Sequence, residues 1–333
     1  METRPRVKKQ PHWTASSGAN QLGKRSESLA STIRGTSHSK PTDSLKVERK
    51  VQFVINPNSG VKRKVSLVDL LKSELGDTIQ YGIHFTKHPE HATELSLQAV
   101  EQGVDAVIAV GGDGSVNEVG KALINTDVAL GIIPSGSGNG FARHLGIPMQ
   151  SLAAIKRIRD FNTRTIDTAS INGVPFLATA GLGFDAHVGW KFATFGKRGF
   201  FSYLQVTTNE FFSFQPKTYH LEVDGEVIET KAFLVNFANA GQYGNNAWIA
   251  PSASISDGKL NVCILEQFPP HLAPDIIFKL FSKQIEKSKY YRVLQAKEIK
   301  VLNPSKFHLD GEPKSIEEDM LIQVVPNSLK VIV

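Results

Sequence analysis

The chain has 333 residues, 41% of them hydrophobic, and contains one cysteine. This length can form one large or two ordinary domains with buried cores, and a single cysteine excludes an intramolecular disulfide bond. The formal net charge of +6 is concentrated at the N-terminus, because residues 1–50 contain eleven Lys or Arg and four Asp or Glu, a balance of +7 that leaves −1 for residues 51–333. The folded body therefore lacks the basic excess of nucleic-acid-binding proteins, and we expect no nucleic-acid partner.

Residues 1–48 are predicted to form a disordered basic tail, because they are rich in Ser, Gly, Pro, Lys and Arg with only scattered apolar residues. The tail could be a solvated extension, a tether to anionic lipid, or an organellar transit peptide, although Glu2 and the missing amphipathic pattern argue against the last. No apolar run approaches the roughly 18–20 residues of a membrane span, and the N-terminus has no apolar core like that of a secretory signal, so we expect none. We expect a cytoplasmic protein that is peripheral on a membrane.

Residues 51–150 alternate short apolar runs with helical patterns. Apolar runs predict strands, and apolar residues spaced i, i+3, i+4 predict helices. The predicted strands are 51–55, 78–86, 106–110 and 129–133, and the predicted helices are 65–75, 91–102 and one that starts near Val116. This alternation indicates a parallel sheet covered by helices on both faces, in which ligands bind at the carboxyl ends of the strands.

Two glycine-rich loops follow two of these strands, at 111–115 and at 134–140. Glycine lets the backbone approach a bulky anion, and the N–H groups at the start of the following helix attract phosphate. Asp113 is unusual in an anion cradle, so it is expected to hold Mg²⁺, accept a proton or cap the helix. The loops lack the Walker and dinucleotide-binding spacings, yet they predict a nucleotide-using enzyme.

From about residue 164 the pattern changes to short strand-like runs separated by turn dipeptides, which favours a mostly antiparallel β-sandwich. The turns are Asn172-Gly173, Asp224-Gly225, Asp257-Gly258 and Asp310-Gly311. Two segments interrupt the strands: 184–214, which holds ten aromatic residues, and 272–292, which is predicted to be helical and basic. The fold class is therefore α/β, with an α/β nucleotide-binding domain and a β-sandwich domain.

Several motifs occur in an order that resembles the diacylglycerol kinase catalytic-domain family, which includes bacterial diacylglycerol and lipid kinases and the sphingosine and ceramide kinases. They are Asn-Pro-Asn-Ser-Gly at 56–60, Gly-Gly-Asp-Gly-Ser-Val-Asn-Glu-Val at 111–119, Pro-Ser-Gly-Ser-Gly-Asn-Gly-Phe-Ala at 134–142, Asp-Gly at 257–258 and Leu-Asp-Gly-Glu at 309–312. The resemblance covers about 51–333. It implies ATP- and Mg²⁺-dependent phosphorylation of a lipid hydroxyl by a nucleotide-binding domain like that of NAD kinases, 49–163 plus 318–333, with a lipid-binding sandwich at 164–317.

The resemblance also implies roles for individual residues. Asp113 and Glu312 match catalytic acids of different branches of the family, and either is a candidate general base. The cofactor-binding candidates are Asn56, Thr86, Gly111, Gly112, Asp113, Gly114, Ser115, Val116, Asn117, Glu118, Gly136, Ser137 and Asn139. The candidate metal ligands are Asp257 and the backbone carbonyls of Ser254 and Lys259. Because Asp224-Gly225-Glu226 repeats the letters of 310–312, Asp-Gly-Glu is a hairpin turn first and a catalytic motif only by its placement.

The substrate class stays open between diacylglycerol- and sphingoid-type lipids, and Gly140 stands where bacterial diacylglycerol kinases typically carry aspartate. Segment 184–214 is expected to be either core or a membrane-facing lip, in which Lys191, Lys197 and Arg198 lie among aromatic residues. A lipid substrate and transient contact with a membrane surface are the expected partners, and a homodimer is left open. The alternatives are a kinase of a soluble small molecule on the same scaffold and a non-catalytic lipid- or nucleotide-binding protein.

Overall fold

The computed structural model describes residues 49–59, 64–76, 79–195 and 200–333, except for the side chains of 64–66, 200, 201 and 203. The predicted tail, 1–48, lies outside the described residues, as do Thr78 of the second predicted strand and two basic residues of the predicted lip, Lys197 and Arg198.

The first half of the fold is a parallel sheet with helices, as predicted. The strands are β1 (Arg49–Ile55), β2 (Ile79–Phe85), β3 (Ala106–Gly111) and β4 (Ala129–Pro134), and they lie side by side in the order β2-β1-β3-β4. All three pairings are parallel. The helices are α1 (Lys64–Leu75), α2 (His91–Glu101), α3 (Asp113–Leu123), α4 (Gly140–His144) and α5 (Ser151–Asp160).

The core of this half lies between the sheet and its helices. Every residue of β3 and of β4 is buried, which is typical of parallel strands that are covered on both faces. Phe53, Ile108 and Leu130 come from three adjacent strands, and they are fully buried in one cluster with Leu71 and Leu75 of α1. The carboxyl ends of β1, β3 and β4 are thereby fixed at one edge of the sheet.

The second half is antiparallel, as predicted for a sandwich. Its strands are β5 (Thr163–Ile171), β6 (Val174–Phe176), β7 (Thr179–Gly183), β8 (Lys217–Val223), β9 (Glu226–Ala238), β10 (Gln242–Gly244), β11 (Ala247–Trp248), β12 (Leu260–Glu266), β13 (Tyr291–Ala296), β14 (Glu298–Val301), β15 (Lys306–Leu309), β16 (Glu312–Ser315) and β17 (Met320–Ile332). The hydrogen-bonded order β16-β15-β7-β9-β8-β14-β17 continues into the parallel strands through β4, with β12 and β13 branching from β9. The predicted fold class is confirmed.

β17 joins the two halves. It pairs with β5 in antiparallel orientation along most of its length and in parallel with β4 at Val331, opposite Leu130. The register shifts between Val325 and Leu329, where Pro326 lacks the N–H group that a ladder needs. The chain therefore leaves the parallel layer along β5 and returns to it along β17. The predicted domain boundaries at 163/164 and 317/318 lie close to the ends of these strands and stay a prediction.

Three of the four predicted hairpins are confirmed, at Asn172-Gly173 between β5 and β6, Asp224-Gly225 between β8 and β9, and Asp310-Gly311 between β15 and β16. The prediction of a hairpin at Asp257-Gly258 is wrong. That turn leads into β12, whose partners are β9 and β13, so it does not connect two neighbouring strands.

The two interrupting segments are largely helical. Segment 184–214 contains α6 (Phe184–Thr194) and α7 (Phe200–Phe211), and the basic segment contains α8 (Ala273–Phe281), after which β13 begins at Tyr291. Phe184 is buried against Phe211, Phe214 and Phe233, so part of the aromatic segment is core, whereas Phe212 is 75% exposed. None of the helices in the described ranges has the length and apolar composition that a membrane span needs.

Candidate functional site

The two glycine loops meet at the carboxyl ends of β3 and β4. The backbone N–H of Ser135 donates to the carbonyl of Gly111 at 2.8 Å, so pairing continues one residue beyond β4. A Cβ atom placed on Gly136 would lie 2.5 Å from the Cα of Gly112, a separation that real structures do not tolerate. Glycine is required because backbone packs directly on backbone, and the loops form one surface.

Helix α3 begins three residues earlier than expected, at Asp113 instead of near Val116. The apolar spacing that included Val116 marks the buried face of the helix rather than its start. Gly112 is extended, and its carbonyl accepts the N–H of Val116 at 3.1 Å, which closes the first helical turn. The first N–H groups of a helix have no acceptor within it, so those of 113–115 belong to the first loop itself. This arrangement suits an anion.

The carboxylate of Asp113 lies between the two loops. Its Oδ1 accepts the N–H of Phe141 at 3.3 Å, and a Cβ atom on Gly138 would lie 3.0 Å from its Oδ2. Burial raises the pKa of this carboxyl, and the negative charge of Asp310 adds to the rise, although the N–H groups of Asn139, Gly140 and Phe141 oppose it. A carboxyl that holds its proton more tightly than usual is suited to general-base chemistry.

Asp310 ties the sandwich to this helix, a role that we did not predict from the sequence. Its carboxylate accepts the backbone N–H groups of Leu177, Ala178 and Thr179 at 2.8–3.0 Å and the side-chain amide of Asn117. Burial raises the pKa of Asp310 despite these donors. The Leu-Asp-Gly-Glu motif contained this residue, but its partners lie more than 130 positions away.

Glu312, a candidate catalytic residue, is the first residue of β16 and its side chain is 52% exposed, 3.5 Å from Nζ of Lys314. Burial is the largest cause of the raised pKa of Glu118, and the negative charge of Glu312 adds to the rise. Oε2 of Glu118 accepts the N–H of Ala92 at 3.1 Å, at the start of α2. Glu118 therefore caps a neighbouring helix, and its predicted contact with the nucleotide stays a prediction.

The Asn-Pro-Asn-Ser motif after β1 borders both loops. The side-chain amide of Asn56 donates to Oγ of Ser115 at 3.2 Å, and the hydroxyls of Ser59 and Ser135 are 3.0 Å apart. After β2, the N–H of Thr86 donates to the carbonyl of Ile55 at 2.9 Å. The structure thus gathers residues from the ends of four adjacent strands at one edge.

The second loop is held by its own asparagine. Oδ1 of Asn139 accepts the N–H of Gly136 at 3.0 Å, and its amide donates to the carbonyl of Gly136 at 2.8 Å, while Ser137 is exposed. A Cβ atom on Gly140 would lie 2.8 Å from the carbonyl oxygen of Gln242 in β10. Because the backbone of β10 lies this close, position 140 has room for glycine and not for aspartate.

The candidate metal ligands lie together in the loop before β12. Asp257 is exposed, and its Oδ1 accepts the N–H of Lys259 at 3.1 Å. With the carbonyls of Ser254 and Lys259 the donors are all oxygen atoms, which fits Mg²⁺. The loop is anchored by Asp167 of β5, whose buried carboxylate accepts the N–H groups of Gly258 and Asn327, each at 2.8 Å.

A buried network lies behind the Asp310-Gly311 turn. His308 Nδ1 accepts the N–H of Gly311 at 3.4 Å, so the proton is on Nε2, which is 3.1 Å from Oδ2 of Asp185. The same Oδ2 accepts the hydroxyl of Tyr243 at 3.0 Å, and Tyr243 belongs to β10. The network therefore links the turn before Glu312 to the hairpin formed by β10 and β11, which packs on the second glycine loop. No sequence motif indicated it.

Comparison with known proteins places the two halves in described domain families. Residues 50–171 match the diacylglycerol kinase catalytic domain, and 178–333 match the YegS C-terminal NAD kinase beta sandwich-like domain. A diacylglycerol kinase of Mycobacterium tuberculosis is 33% identical over 232 residues, 65% of this chain and 73% of that protein. An uncharacterised protein of Synechocystis sp. is 30% identical over 285 residues, 78% of this chain but 65% of its own length.

A crystal structure of a diacylglycerol kinase from Bacillus anthracis shares the fold, with a TM-score of 0.67 and 22% identity over 85% of this chain and 96% of that one. At this identity the likeness concerns the fold alone. The two domain matches and the Mycobacterium relative establish more. The chain belongs to the diacylglycerol kinase catalytic-domain family.

Proposed function

We propose that the protein transfers the γ-phosphoryl group of ATP, with Mg²⁺, to a hydroxyl group of a diacylglycerol- or sphingoid-type lipid. The observation that supports this proposal best is the partly buried carboxylate of Asp113, which lies between the two glycine loops at the ends of adjacent parallel strands. The M. tuberculosis and Bacillus subtilis relatives are diacylglycerol kinases, which supports a lipid acceptor.

The chain's own residues would divide the work as follows. The N–H groups at the start of α3 and the loop at 134–140 bind the phosphates, and Asn56 and Thr86 border the nucleotide. Asp113 accepts the proton of the attacking lipid hydroxyl, and its raised pKa makes the carboxylate a stronger base for that task. Glu312 is the alternative base; its greater exposure makes Asp113 our choice.

Mg²⁺ fits the site, because Asp113 and Asp310 raise the local negative charge just where a triphosphate would add more. When bound, the ion would neutralise the triphosphate charge as transfer proceeds. Asp257 and the backbone carbonyls of Ser254 and Lys259 would hold the ion, while Asp113 acts as the base.

The proposal is tested with the purified 333-residue chain, γ-labelled ATP, Mg²⁺ and a panel of diacylglycerols, sphingoid bases and ceramides. We expect label in the organic phase for one lipid class, and none with Asp113→Ala. Label in a water-soluble product would instead favour a kinase of a soluble acceptor, and no transfer at all would favour a binding protein.

A further inference from the structure

Helix α8 carries more apolar surface than its own fold covers. At 100° per residue, Ile276 and Leu280 share the inward face of α8. Ile276 is 3% exposed and belongs to the buried cluster that contains Phe184 and Phe233. Ile277, Phe278 and Phe281 form a second stripe, about 100° wide, that is 50%, 64% and 44% exposed. Large apolar side chains grouped on one exposed helix face indicate a contact surface.

The chain around this stripe is basic. Residues 273–292 contain five Lys or Arg and two Asp or Glu, a balance of +3, within a body (51–333) that sums to −1. Lys279 pairs with Asp275 at 2.7 Å, whereas Lys287, Lys289 and Arg292 are exposed. A helix with an apolar face and a basic surround is typical of segments that lie in the interface of an anionic bilayer.

Helix α8 also lies close to the second glycine loop. Lys283, just after α8, places Nζ 3.9 Å from the ring centroid of Trp248 in β11. In the same hairpin, the N–H of Asn245 donates to the carbonyl of Gly138 at 3.2 Å, in the second glycine loop. One short hairpin therefore separates α8 from the predicted site of phosphoryl transfer.

We propose that α8 docks the protein on an anionic bilayer, with Ile277, Phe278 and Phe281 among the acyl chains and Lys287 and Lys289 at the lipid phosphates. The surplus of positive charge favours a bilayer over a second copy of this chain, which would bring the same charge. The inference rests on the proposed function in one respect: docking would bring the site to an acceptor that resides in the membrane.

The test is sedimentation of the full chain with vesicles of phosphatidylcholine, with and without phosphatidylglycerol. We expect stronger binding to the anionic vesicles, and a loss of about tenfold for Phe278→Glu, since burial of one Phe side chain is worth that much or more. Lys287→Glu should weaken binding only to anionic vesicles. Val227→Glu is the matched control, because Val227 is 80% exposed on β9. The basic tail is present in every variant, so differences report on α8.

Binding by Phe278→Glu that equals that of Val227→Glu would overturn the proposal, as would a shift from dimer to monomer in that variant with vesicle binding unchanged. Phosphorylation of a short-chain lipid in solution separates this proposal from the proposed function. Phe278→Glu should leave that rate unchanged and lower the rate on vesicles. If the native chain binds vesicles but phosphorylates no lipid, and Phe278→Glu does not bind vesicles, the docking proposal is supported and the proposed function fails.

Discussion

The two Asp-Gly-Glu turns allow a paired test, because they share three letters but differ in placement. Asp224 is exposed and accepts the N–H groups of Lys297 and Glu298 at 2.9–3.0 Å. Asp310 accepts three backbone N–H groups and the amide of Asn117 at the junction of α3 and the sandwich. We compare Asp310→Ala with Asp224→Ala.

Each buried donor left without an acceptor costs about 1–3 kcal/mol. Four such donors would together cost about 4–12 kcal/mol, but the raised pKa of Asp310 indicates that burial of its charge already costs free energy, which offsets part of this loss. We therefore expect Asp310→Ala to lower the free energy of unfolding by about 3–5 kcal/mol. At the exposed turn water replaces the carboxylate, so Asp224→Ala should cost about 1 kcal/mol or less.

Urea denaturation followed by tryptophan fluorescence measures both variants, since the chain has three Trp residues. Equal losses of unfolding free energy in the two variants would refute the claim that Asp310 joins the two halves of the fold.

Three further predictions concern the loops and α3. Gly136→Ala should lower Tm and ATP affinity, with about 1–3 kcal/mol of strain, because its Cβ would meet the backbone of Gly112; Gly114→Ala, with no protein atom within 4 Å of its Cβ, should leave Tm unchanged in calorimetry. Asp113→Asn should lower kcat about 10²–10⁴-fold. Because burial raises the pKa of Asp113 in the folded state, the contribution of its protonated carboxyl to protein stability is fully present below the ordinary aspartate pKa and is lost as pH rises through the raised value. Asp113→Asn should therefore have a higher Tm than the native chain at neutral pH and no higher Tm in acid. A lower Tm of this variant at neutral pH would show that burial does not destabilise the Asp113 carboxylate. Glu118→Ala removes the acceptor at the start of α2 and should cost about 0.5–2 kcal/mol in urea denaturation, and an unchanged midpoint would show that this cap is not needed.

The parallel layer could be predicted from sequence because each of its signals is local. Apolar runs such as 106–110 and 129–133 identify strands that are buried on both faces, and topology then places their ends at one edge. The hairpin dipeptides could be predicted for the same reason, since Asn, Asp and Gly accept the positive φ of a tight turn. Asp257-Gly258 shows the limit: Gly258 has φ of +69°, yet the turn joins no adjacent strands, because a local conformation does not determine which strands pair.

The parts of the site that could not be predicted depend on tertiary contacts. The local sequence predicts only a turn at Asp310, because the backbone N–H groups of 177–179 that donate to its carboxylate are distant in the sequence. His308 and Asp185 are 123 positions apart, and nothing in either local pattern links them. The start of α3 was misplaced because apolar spacing marks a buried face, whereas the helix begins where glycine ends the strand.

The central claim is that Asp113, between the two glycine loops, supports phosphoryl transfer to a lipid hydroxyl. It is tested most directly by a single-turnover measurement with γ-labelled ATP, Mg²⁺ and the preferred lipid, with the native chain and Asp113→Asn side by side. We predict that label enters the organic phase with the native chain and that Asp113→Asn, still folded, loses about 10²–10⁴-fold in rate. Equal rates for the two proteins, or label confined to the aqueous phase, would contradict it.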